Sequence, residues 1–154
     1  MSFSIDIQLD DPRWRQPRGL AARLRRCAEL ALKRGRAANP ASLTILLTGD
    51  ARLRRLNREF RGKNKVTNVL AFPAGDGQDG YLGDVALAYG VTADEAQAGG
   101  KRFADHAMHL TVHGVLHLLG FDHQSTEAAR EMEPLEARIL RELGIANPYA
   151  SEAA

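Results

Sequence analysis

The chain has 154 residues, 44% apolar and 26% charged, with a formal net charge of +2, proportions that fit a single globular domain over residues 1–154. A lone cysteine, Cys27, excludes an internal disulfide and points to a reducing compartment. No apolar run approaches the roughly 20 residues needed to span a bilayer, and the N-terminus lacks a basic start followed by an apolar stretch, so the expectation is a cytoplasmic protein with no membrane partner.

Phe3 to Leu9 alternates apolar and polar residues with the period of a strand. Pro17 to Arg34 carries Leu20, Leu24, Cys27, Leu30 and Ala31 at helical spacing and ends at Gly35; Cys27 reads there as a small core residue. Leu43 to Leu47 is a short apolar strand. Asp50 is placed to cap a helix carrying Leu53, Leu56 and Phe60, whose spacing puts Phe60 in the core, and that helix stops near Gly62. Thr67 to Phe72 reads as a buried strand ended by Pro73, residues 74–80 as a glycine-rich connection, and Leu82 to Ala88 as a further strand. Thr92 and Glu95 form a capping box for a short helix. Gly99-Gly100 precedes a long helix that carries most of the histidines. Ser125 or Thr126 begins a last helical region running to Leu143, which Pro134 should kink or restart. This order of elements suggests one α+β domain, a small mixed central sheet of about four strands packed with about five or six helices.

Residues 113–123 read His-Gly-Val-Leu-His-Leu-Leu-Gly-Phe-Asp-His. His113 and His117, four apart, share one helical face. Gly120 can end the helix in the left-handed conformation, and the returning chain can deliver His123. Three imidazoles with an open fourth position describe a catalytic zinc site, since structural zinc sites are usually closed by four protein ligands. His106 and His109 extend the stripe but cannot join the same ion: His109 and His117 would lie about 12 Å apart along the axis. They are expected in a second shell or on a polar rim. The spacing is also that of metzincin proteases, which carry Glu after the first His as general base. Gly114 occupies that position, so a peptidase of that type would lack its proton acceptor.

The stretch Arg58-Glu-Phe-Arg61-Gly-Lys63-Asn-Lys65 offers groups that could stabilise charge on a phosphate, for which the guanidinium fork of Arg is suited; a solvated helix end is the plain alternative. Residues 1–65 hold 16 Lys and Arg against 6 Asp and Glu, and residues 66–154 hold 5 against 13. A basic half suits a polyanion partner. Asp122 could orient a ligand imidazole or cap a turn, and Asp84 reads as a turn or edge residue.

The chain resembles the YbeY family of bacterial rRNA maturation factors, which are metal-dependent endoribonucleases. The resemblance rests on Leu56-Asn57, Phe60 to Lys63, Thr67 to Pro73, Leu82-Gly83-Asp84, His113 to His123, Glu131-Met-Glu and Asn147-Pro-Tyr. Val66, Asn68 and Ala71 depart from residues frequent in that pattern. The resemblance implies zinc bound by His113, His117 and His123, with Arg61 at the active site. It implies action on single-stranded RNA in 3′-end maturation of small-subunit (16S) ribosomal RNA and in ribosome quality control, with ribosomal or ribosome-associated proteins as further partners. The expected catalytic residues are Arg61 and His113. The alternatives are a non-catalytic, zinc-stabilised assembly factor that binds RNA, and a zinc hydrolase of small or peptide substrates.

Overall fold

Four strands pair into one mixed sheet in the computed structural model, which describes residues 2–75, 78–122 and 124–148. β1 (Phe3–Leu9) lies parallel to β2 (Ala41–Thr48). β3 (Val69–Pro73) runs antiparallel to β4 (Tyr81–Ala88), and β4 lies parallel to β2, so the order is β1-β2-β4-β3. The helices are α1 (Leu20–Arg34), α2 (Asp50–Arg61), α3 (Tyr89–Ala98), α4 (Phe103–Leu118) and α5 (Thr126–Glu142). Among the described residues this is the expected α+β arrangement, with every expected strand present.

The sheet's two faces are covered unequally. On one, Leu43, Ile45, Leu47, Val85 and Leu87 join Leu24, Cys27 and Leu32 of α1, Val112, Val115 and Leu116 of α4, and Met132, Ile139 and Leu140 of α5. Cys27 is fully buried, and burial pushes its thiol up to about 12, so it packs as a small apolar group. On the other face, Leu53 of α2 meets Leu70, Ala86 and Ala88 in a smaller cluster. Alternation in β2 and β4 supplies both faces, as the period of two requires.

Gly114 brings α4 close to the sheet. A Cβ there would lie 2.6 Å from Cγ1 of Val85 and 3.2 Å from Cγ2 of Val69. A glutamate cannot occupy this position without shifting the helix against β3 and β4. α4 ends as its sequence predicts. Gly120 has φ +97°, its N–H donates to the His117 carbonyl at 3.0 Å, and the Phe121 N–H reaches back to the Leu116 carbonyl at 3.0 Å. This paired closure turns the chain sharply after the helix.

Three expectations are corrected and a fourth is narrowed. Asp50 does not cap its own helix; its Oδ1 accepts from the Val91 N–H at 3.1 Å and so caps the start of α3. Gly90 permits that approach, because a Cβ there would come within 2.4 Å of the Asp50 carboxylate. Thr92 does not begin α3, which starts at Tyr89; it is buried within the helix and its hydroxyl donates to the Ala88 carbonyl at 2.6 Å. Phe60 is 68% exposed, because burial along α2 falls from Leu53 through Leu56 to the last turn, where the ring meets Phe72 edge-on at 5.6 Å. Of the two outcomes expected at Pro134, a kink or a restart, the restart does not occur: α5 is one element through it, held to the core on both sides by Met132, Ile139 and Leu140.

Candidate metal centre and its basic wall

The histidine stripe of α4 opens into a cleft of about 850 Å³. His106, His109, His113 and His117 all line it. Nε2 of His113 and Nε2 of His117 are 3.1 Å apart. Two imidazole nitrogens bound tetrahedrally to one zinc ion, at Zn–N distances of about 2.0–2.1 Å, stand roughly 3.3 Å from each other. The 3.1 Å contact is a hydrogen bond between the rings, and its length is also close to the spacing of two ligands on one cation. His123 lies outside the described residues; its neighbours Asp122 and Gln124 both line the cleft. Asp122 accepts from the Gln124 N–H at 3.0 Å, the turn geometry open to it from sequence.

Behind the stripe lies Glu136 of α5, fully buried. Its Oε2 is 2.7 Å from Nε2 of His109 and 3.0 Å from Nδ1 of His113. Burial would push this carboxyl up, but hydrogen bonds from the two imidazoles and their charges outweigh it and bring the carboxyl down to about 2. His109, His113 and Glu136 each place a ligand atom within 4.8 Å of the others, a group that could hold a metal ion. Sequence reading missed Glu136. A signal existed: residue 136 falls on the apolar stripe that also carries Met132, Ile139 and Leu140. A lone charge there must be compensated, because burying an unpaired ion costs several kcal/mol.

Near His106 a second polar cluster closes the cleft. Glu95 Oε1 takes Nε2 of His106 at 2.9 Å and the Asn68 side-chain amide at 3.0 Å. Asn68 can donate to Glu95, whereas an aspartate would set like charges together. Burial lowers the proton affinity of His106, and the carboxylate of Glu95 opposes that.

The other wall is basic. Arg61, Lys63 and Lys65 line the same cleft as the histidines and are exposed. α2 stops at Gly62, φ +69°. The following loop is pinned to the helix: the Lys63 N–H donates to the Asn57 carbonyl at 3.3 Å, the buried Asn57 side chain donates to the Lys65 carbonyl at 3.0 Å, and Arg54 donates to Asn64 at 2.9 Å. The structure thus brings Arg61 to the cleft that holds His113 and His117. Asp84 is exposed on β4, away from that cleft, and accepts from the Tyr81 hydroxyl.

Fold and cleft together define a small α+β protein whose histidine-lined site could hold a metal ion and whose cleft also carries basic groups that suit an anion. A family model described as "Endoribonuclease YbeY" matches residues 7–144. Relatives named "Endoribonuclease YbeY" from Maricaulis maris (strain MCS10) and Chelativorans sp. (strain BNC1) are 42% and 44% identical, with 97% of this chain and 93% and 94% of theirs covered. The protein of that name from Bordetella pertussis is 45% identical over 97% of this chain and 96% of its own. The chain belongs to the YbeY family. The solution structure of TM1509 from Thermotoga maritima has a similar fold, with a TM-score of 0.60 at 22% identity and 91% of each chain covered.

Proposed function

We propose that this protein is a zinc-dependent endoribonuclease that cuts single-stranded RNA in this cleft. The observation that carries the reading is the 3.1 Å approach of the His113 and His117 Nε2 atoms in a cleft also lined by Arg61, Lys63 and Lys65. The donor set suits zinc: His113, His117 and His123 would hold the ion through their imidazoles. When bound, zinc supplies Lewis acidity and water activation near neutral pH. Arg61 pairs with phosphate oxygens and stabilises charge that develops on the scissile phosphodiester. Lys63 and Lys65 track the flanking backbone, which makes binding weakly sequence-selective and salt-dependent. The names of the relatives support ribonuclease activity. The biological substrate we assign is the 3′ region of small-subunit ribosomal RNA in the cytoplasm, with a role in ribosome quality control and contacts to ribosomal proteins.

The test compares His113→Ala and Arg61→Ala with the wild type for zinc content and for cleavage of a single-stranded RNA. The reading expects His113→Ala to lose both and Arg61→Ala to keep zinc but lose most cleavage. Ribosome maturation sustained by His113→Ala would favour an assembly factor that binds RNA without cutting it. Cleavage of peptides in preference to RNA would favour a different hydrolase, although Gly114 leaves no room for the glutamate base such an enzyme needs.

A further inference from the structure

Among the described residues, Glu136 is the one carboxylate that is fully buried. A hydrocarbon side chain would pack at position 136 with no charge to compensate, as Met132 and Leu140 do on the same helix. The carboxylate is held by what it touches. One oxygen, Oε2, meets His109 Nε2 at 2.7 Å and His113 Nδ1 at 3.0 Å. A carboxylate only accepts, so the proton of the His113 ring lies on Nδ1. In the neutral ring Nε2 then carries the lone pair, and that atom is the one 3.1 Å from His117 Nε2.

We propose that Glu136 is the positioning residue of the metal centre. Its carboxylate fixes the tautomer and the ring angle of His113 so that Nε2 faces the ion, and His109 hydrogen-bonds the same carboxylate oxygen. This rests on the assignment of His113 and His117 as metal ligands. It differs from direct ligation by the group His109, His113 and Glu136. Two observations separate the two. Glu136 does not line the cleft, while His109, His113 and His117 do. The 2.7 Å contact between Glu136 and His109 is a hydrogen-bond length, well short of the roughly 3.3 Å between two ligands on a tetrahedral zinc. A carboxylate behind a ligand imidazole is a common way to set its orientation, and removing it typically weakens metal binding by about 10–100-fold.

The experiment measures zinc affinity, by competition with a chromophoric chelator and without RNA, for the wild type, Glu136→Gln, His109→Gln and His113→Ala, with the cobalt(II) absorption spectrum of each. Glu136→Gln should bind zinc roughly 10–100-fold more weakly and shift the cobalt bands while keeping its far-ultraviolet dichroism. His109→Gln should weaken binding by less, and His113→Ala should lose it. Zinc affinity of Glu136→Gln equal to the wild type would overturn the proposal. So would loss as complete as that of His113→Ala, because Glu136 would then be a ligand. Should Glu136→Gln fail to fold, imidazole nitrogen shifts of the metal-free wild type decide the matter: a proton on Nδ1 of His113 supports the role, and one on Nε2 refutes it. RNA cleavage enters none of these readouts, so failure of the nuclease reading would be seen separately. Wild-type zinc affinity in His113→Ala would remove the ligand assignment and the role of Glu136 with it.

Discussion

Along one side of the cleft, His109, His113 and His117 stand on a helix seated tightly against the sheet, with a buried carboxylate behind them. Along the other, Arg61, Lys63 and Lys65 stand exposed at the end of α2 and in the loop after it. The first wall is fixed by packing and by hydrogen bonds that leave little freedom to the rings. The second is fixed only in its backbone, through Asn57 and Arg54, while its charged side chains reach into solvent. A metal site needs ligands held to within a fraction of an ångström, whereas a phosphate backbone can be met by mobile charges that adapt to it. The two walls therefore differ in the kind of change that should break them.

The largest effect is expected on the rigid wall. His113→Ala, or removal of metal by a chelator, should lower RNA cleavage by more than roughly 100-fold with matching loss of bound zinc, read by elemental analysis and a gel assay. Acid should also attack this wall. The Glu136 carboxyl stands at about 2 against an ordinary 4.5. Its contribution is therefore fully present above about pH 4.5 and is lost as pH falls towards 2. At about 1.4 kcal/mol per pH unit this amounts to about 3 kcal/mol, and urea unfolding across that window should show a smaller change for Glu136→Gln. The basic wall should respond in rate rather than in metal. Arg61→Ala should cut cleavage by roughly 100-fold with zinc retained. Gly114→Ala probes the seat of the rigid wall and should cost about 1–3 kcal/mol of stability by overpacking against Val85. The smallest effect should come from the double variant Lys63→Ala, Lys65→Ala: RNA affinity falls modestly and the slope of log affinity against log salt becomes shallower by about 1–1.5, at roughly 0.7 per lost contact to a single strand.

Much of the rigid wall was legible in the chain. The spacing of His113 and His117 and the glycine at 120 placed both rings and the helix end, because those depend on local geometry. The strands were legible for the same reason, since alternation and apolar runs belong to neighbouring residues. What escaped depended on distant partners. Asp50 resembles a cap for its own helix, and only the meeting of α2 and α3 assigns it otherwise; Thr92 resembles a cap too, but α3 already starts at Tyr89 and its hydroxyl turns back to the Ala88 carbonyl. Phe60 repeats the helical spacing of Leu53 and Leu56, but spacing cannot say where along α2 burial ends. Glu136 is a single charge in an apolar stripe, and its meaning appears only when α5 packs against α4 and brings it to His109 and His113. Arg61 was legible as a candidate, and the fold adds that it shares a cleft with the histidines.

The most direct test is a zinc titration of metal-stripped protein, scored by cleavage of single-stranded RNA at each step. The account predicts no cleavage without metal and full recovery at one ion per chain. Cleavage at the full rate by the metal-free protein would contradict it.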